Sequence, residues 1–87
     1  MPNPEYTLLV ALSVYRNLSK LGRPKRDRIL AFFDQLEESP YGLSHYREND
    51  SAGSPREVTI VGDHAVTYWV DYTDKHVKVL RIESAGT

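Results

Sequence analysis

Arg56-Glu57-Val58-Thr59-Ile60-Val61-Gly62-Asp63-His64-Ala65-Val66-Thr67-Tyr68-Trp69-Val70 is the stretch on which the fold is decided. Both halves are rich in β-branched and aromatic residues, and Gly62-Asp63 between them is a two-residue hairpin signal. His64, Val66, Tyr68, Val70 and Tyr72 recur at strict period two, so they share one face of a strand and leave Ala65, Thr67, Trp69 and Asp71 on the other. The same alternation puts Val58 and Ile60 with the covered set and Glu57 and Thr59 with the open one. Thr73-Asp74-Lys75 makes the next turn. Val77 to Ile82, apolar on both faces, then reads as an interior strand with Leu80 and Ile82 inward and Val79, Arg81 and Glu83 outward.

Upstream, residues 40–55 concentrate turn formers and polar groups without sustained periodicity, which predicts a long loop. Before it, Ile29, Phe32, Phe33 and Leu36 follow the i, i+3, i+4, i+7 rule of a helix entered through Pro24 and ended by Pro40. Val14, Tyr15, Leu18 and Leu21 predict a shorter helix, with Ser13 as its cap and Gly22 as its stop. Gly22-Arg23-Pro24 joins the two helices into an antiparallel hairpin over residues 13 to 39. Tyr6, Leu8 and Val10 alternate with Thr7 and Leu9, so residues 5 to 11 form a first strand. The order is βααβββ: an α+β fold with the helical hairpin packed on one face of a twisted, mainly antiparallel four-stranded sheet.

The 87 residues suit one domain, 1–87, because two independent cores need roughly twice that length. The absence of cysteine excludes disulfides, thiolate metal sites and a cysteine nucleophile. With neither a signal-peptide pattern nor a membrane-length apolar run, a cytoplasmic location is expected. The net charge of −1 hides an uneven distribution. Between Arg16 and Arg28 six basic residues (Arg16, Lys20, Arg23, Lys25, Arg26, Arg28) stand against Asp27 alone. That patch, at the tip of the helical hairpin, suits a few phosphates or an acidic partner, with salt-sensitive affinity.

The order of elements and the strand–turn–strand segment together resemble the RelE/ParE superfamily of toxins from bacterial type II toxin–antitoxin systems, including those named for plasmid stabilisation. Gly62, Asp63, Val66, Tyr68 and Val70 fit the family's pattern, and the resemblance covers essentially the whole chain. It implies a toxin or toxin-like component that inhibits translation by ribosome-dependent mRNA cleavage, with a cognate antitoxin, the ribosome and mRNA as partners. Where such nucleases typically carry arginine after the aromatic of the turn, this sequence has Ala65. Where they carry cations on the preceding strand it has Glu57 and Thr59, and in place of a basic, tyrosine-bearing tail it has Glu83-Ser84-Ala85-Gly86-Thr87. The resemblance therefore leaves room for weakened or lost activity. It also leaves room for a ParE-like inhibitor of a protein such as DNA gyrase, or for a degenerate member serving as a binding or dimerisation module.

Cleavage by a ribose 2′-hydroxyl needs a base, an acid and cations for the phosphorane. The residues left for those roles are Arg81 and Arg56 as phosphate clamps and His64 as base or acid. Trp69 can stack a splayed base, and Arg23, Lys25, Arg26 and Arg28 can hold RNA or the ribosome. Each has a plainer reading. His64 on the helix-facing register substitutes for an aromatic in a half-buried layer, and the tip cations cover a solvated helix surface. Trp69 on the open face needs apolar cover, from the 40–55 loop or from a partner, whether antitoxin or a second copy. His45, His64 and His76 lack any metal-ligand spacing, so neither a metal nor another cofactor is expected.

Overall fold

The structure is a computed structural model and describes residues 5–85. Its elements are β1 (Thr7–Val10), α1 (Leu12–Ser19), α2 (Arg23–Glu38), β2 (Tyr46–Asn49), β3 (Pro55–Val61), β4 (His64–Asp71) and β5 (His76–Ser84). The five strands form one sheet in the order β1-β5-β4-β3-β2, in which β1 runs parallel to β5 and every other neighbour is antiparallel. The α+β class and the helical pair stand as expected, but the sheet has five strands rather than four. The extra strand, β2, lies inside the segment read as loop. Its Tyr-Arg-Glu-Asn sequence has no apolar alternation because it is a short polar edge strand paired on β3.

α2 forms as its spacing predicts. Ile29, Phe32, Phe33 and Leu36 are all buried, and Pro24 occupies the first turn, where its missing N–H costs nothing. α1 starts and ends earlier in the chain than read and buries only Val14 and Leu18, one helical turn apart. Tyr15 is 66% exposed. Ser13 does not cap α1, since the N-cap position is Ala11 and makes no side-chain bond; Gly22 is the N-cap of α2 rather than the stop of α1. The core joins these side chains to Tyr6, Val66, Tyr68, Val70, Val77, Val79 and Ile82, with Phe32 edge-on to Tyr68 at 5.9 Å between ring centres.

Two face assignments are corrected. Across the Gly62-Asp63 turn, Val61 pairs with His64, Thr59 with Val66 and Glu57 with Tyr68. Directly opposed residues share a face, so Glu57, Thr59 and Val61 lie on the helix side and Val58 and Ile60 on the far side. Thr59 tolerates burial because its hydroxyl donates to the Leu43 carbonyl at 2.8 Å. In β5 the register shifts: Thr67 opposes Arg81 but Tyr68 opposes Val79, leaving Leu80 as the extra residue of a bulge. The bulge turns Val79 inward, fully buried, and displaces Leu80 from the core. Gly62 adopts φ +63° at the tight turn, and an added Cβ would lie 3.2 Å from the Arg28 guanidinium.

The end of the sheet away from this turn is closed by tyrosines. The Tyr6 hydroxyl lies 2.9 Å from that of Tyr41, which in turn stacks on Tyr72 at 5.3 Å. Tyr72, read as part of the inward row, falls beyond the end of β4 and is 50% exposed. The bond to Tyr41 and burial push the Tyr6 phenol up to about 12. Among the described residues, no helix is long and apolar enough to cross a membrane.

Candidate functional site

The sheet face away from the helices carries a cross-strand row, Tyr46–Val58–Thr67–Arg81, running from β2 to β5. Three inter-strand spacings separate its ends, about 14 Å along the sheet. Above the row the long side chains close the gap. The Arg81 guanidinium bonds Glu48 of β2, lies 3.4 Å from the Thr67 hydroxyl, and makes a second ion pair with Glu83 at 3.1 Å. This clasp lies over a middle in which Val58 is 1% and Thr67 3% exposed. Arg81 is outward, as the sequence reading has it, but both carboxylates available to it are engaged with it.

Of the other two residues assigned to the chemistry, Arg56 directly opposes Glu48 across β2 and β3, whereas His64 is on the other side of the sheet. Arg56 also projects from the outer face but bonds Asp50 at 2.9 Å, within the β2–β3 turn, where Asp50 also accepts the Ala52 and Ser54 amides. His64 lies on the helix side, in the same register row as Val61, with Nδ1 2.8 Å from the Asp63 carboxylate. The sheet itself therefore stands between His64 and Arg81, so the acid–base candidate and this phosphate clamp do not share one pocket. His45 is also committed, its Nδ1 accepting the Ile60 amide at 2.9 Å. Among the described residues no group of three or more His, Asp or Glu side chains is placed to hold a metal ion.

Trp69 lies on the outer face opposite Lys78, whose ammonium sits 4.9 Å from the ring centre. Part of its cover is thus a lysine stem and a cation–π contact. At the hairpin tip the cations divide. Lys25 bonds Asp63 at 2.9 Å, which pulls that carboxyl below its usual range and ties α2 to the β3–β4 turn. Arg28 packs against Gly62 in the same turn. Arg23 makes only an exposed pair with Asp27 at 3.6 Å, while Arg16, Lys20 and Arg26 have no ion pair among the described residues. The tip keeps an open cationic surface with part of its charge used to hold the fold.

Three features are not singled out by the sequence reading. Glu48 carries the clasp, but it sits 33 residues from Arg81 in a polar strand whose only sequence signal is four residues without glycine or proline. Asp50, the partner of Arg56, was legible as a turn former in Asp50-Ser51-Ala52-Gly53-Ser54, where its side chain closes the turn. A groove of about 510 Å³ between α2 and β3, walled by Phe32, Leu43, Ile60 and Val61, is a product of the tertiary structure alone.

No family model and no curated protein matches the sequence. Solved structures do. The chain is similar to a chain of the archaeal RelE–RelB complex from Pyrococcus horikoshii, with a TM-score of 0.80 and 25% identity over 94% of this chain and 97% of that one. It is also similar to a chain of the toxin–antitoxin complex RelBE2 from Mycobacterium tuberculosis, with a TM-score of 0.76 and 21% identity over 93% of this chain and 98% of that one. An arginine-to-alanine mutant of the Escherichia coli toxin RelE in the free state shares the fold at a TM-score of 0.60 and 18% identity, over 93% of this chain and 84% of that one. With one helical pair on one face of a mixed sheet and these neighbours over nearly its whole length, the chain has a RelE-like fold.

Proposed function

We propose that the protein is the toxin-side member of a toxin–antitoxin pair, neutralised by a cognate antitoxin and attenuated as a nuclease. Any mRNA cleavage it supports takes place on the ribosome, which orients the RNA and supplies groups the protein lacks. The likeness to chains from RelE–RelB and RelBE2 complexes supports the antitoxin partner. The observation that carries the attenuation is the clasp of Arg81 between Glu48 and Glu83, with His64 on the opposite face of the sheet. A phosphate approaching Arg81 meets two carboxylates first, and a transition-state anion gains little from a cation whose charge is already balanced.

Primer-extension mapping of an mRNA incubated with the purified chain, with and without translating ribosomes, tests this reading. Naked RNA should stay intact, and weak cleavage should appear only with ribosomes. Glu48→Gln combined with Glu83→Gln should raise that cleavage, and Arg81→Ala should remove it. Robust cutting of naked RNA overturns the proposal. Absence of cutting on ribosomes by both the parent and the double variant rules out the nuclease reading.

A further inference from the structure

A pocket of about 300 Å³ lies between the segment from Pro40 to Ser44, the opposed residues Arg47 of β2 and Glu57 of β3, and Tyr72. The Glu57 side chain is 15% exposed, its partner Arg47 72%. They join through one atom each, Arg47 Nε donating to Glu57 Oε1 at 2.7 Å. Among the described residues neither the terminal nitrogens of Arg47 nor Glu57 Oε2 has a further partner. No buried side-chain oxygen is left unsatisfied, so Oε2 is reached through the pocket that Glu57 lines. Tyr72 gives one face to Tyr41, at 5.3 Å, and no described ring or cation covers the other. A flat aromatic wall thus stands beside donors from Arg47 and acceptors from Glu57.

We infer that this pocket binds a guanine base, stacked on Tyr72 and hydrogen-bonded to the Arg47–Glu57 pair. Guanine presents O6, N1–H and N2–H along one edge, an acceptor followed by two donors. A guanidinium can only donate and a carboxylate only accept, so the pair offers the complementary order. Adenine and cytosine each place a ring-nitrogen acceptor beside the amino group, which the carboxylate repels. Uracil flanks its single donor with two carbonyls, to the same effect. An arginine side chain would also donate twice to Glu57, but Arg47 already balances that charge and repels a second cation. The volume is at the lower end for small-ligand sites, which suits a single base. Glu57 opposes Tyr68 on the helix side of the sheet, across from Arg81, so the base site is separate from the clasp and holds whether or not the chain cleaves RNA. Single-stranded RNA and a free guanine nucleotide both carry this chemistry.

The test is a titration of the purified chain with the monophosphates of guanosine, adenosine, cytidine and uridine, each to roughly 10 mM, with the amides of Gly42, Ser44 and Tyr72 followed by NMR. Guanosine monophosphate should shift these amides and bind about tenfold or more tightly than the other three, the discrimination one good bidentate base contact supplies. Inorganic phosphate alone should leave them unmoved. Glu57→Gln, nearly isosteric but bearing a donor, should remove the preference. Arg47→Met, at an exposed edge position, should weaken guanosine monophosphate and leave the other three unchanged, which keeps the test valid if Glu57→Gln does not fold. Equal shifts from all four nucleotides, no shift at the highest concentration, or a preference that survives Arg47→Met overturns the assignment. The source of the base is read from the ribo-oligonucleotides AAGAA and AAAAA. A gain over the free nucleotide with AAGAA alone assigns the pocket to RNA, and no gain assigns it to the nucleotide.

Discussion

Tyr6 is buried, bonded to Tyr41, and holds its proton more tightly than a free tyrosine, with its ionisation raised from 10.0 to about 12. The unfolded chain ionises this phenol first as pH rises, so the stability it contributes is complete below about pH 10 and is lost between there and about pH 12. Tyr68, raised by burial, and Lys75, raised by its bond to Glu5, act in the same direction. Urea midpoints measured from pH 8 to pH 12 should therefore fall along the alkaline limb, and Tyr6→Phe should flatten that limb without abolishing it. An unchanged slope in Tyr6→Phe would show that the phenol is not perturbed. At this scale the sequence is informative about direction and silent about partners. Alternation alone points Arg81 outward, but that Glu48 waits there follows from the fold, since no local pattern brings together residues 33 positions apart.

α2 was the most legible element, because four apolar residues at helical spacing leave one face to bury and the structure buries all four. Phe33, 4% exposed, tests its weight: Phe33→Ala should cost about 3 to 5 kcal/mol through lost transfer energy and a residual cavity, read as a drop in the denaturant midpoint. A loss below about 1 kcal/mol, the range of surface changes, would refute the packing role. The strands were legible as strands and less so in their facing. β3 faces opposite to the alternation that puts Val58 and Ile60 with the covered set, because a two-residue turn makes Val61 face as His64 does and so reverses the parity. The Val79–Leu80 exchange was not readable, since a bulge adds a residue without changing the composition of its strand. β2 escaped because a four-residue polar edge strand obtains its stability from the neighbour it joins.

Over the whole molecule, cations without a close carboxylate gather at the hairpin tip, while those of the outer sheet face around Trp69 are engaged, Arg81 with Glu48 and Glu83 and Lys78 with the Trp69 ring. Contacts at the tip should follow salt and those at Trp69 should not. Lys20→Glu combined with Arg23→Glu, both exposed and outside the Lys25–Asp63 and Arg28–Gly62 contacts, should abolish ribosome association at low salt and spare the antitoxin. Trp69→Ala should do the reverse in the same pull-down. Loss of both associations in either variant, with an unchanged thermal melt, would mean one continuous surface. The sheet order also dictates a timetable. β5 is made after the other four strands yet lies between β1 and β4, contributing Val77, Val79 and Ile82 to the core. At about 5 to 20 residues per second, β1 leaves the ribosome seconds before the strand it must pair with. During those seconds Thr7-Leu8-Leu9-Val10 is an unpaired apolar segment of a nascent chain, with both of its edges open to chaperones. A chain of this design therefore gains its sheet, and any activity that depends on it, only after β5 has emerged from the ribosome.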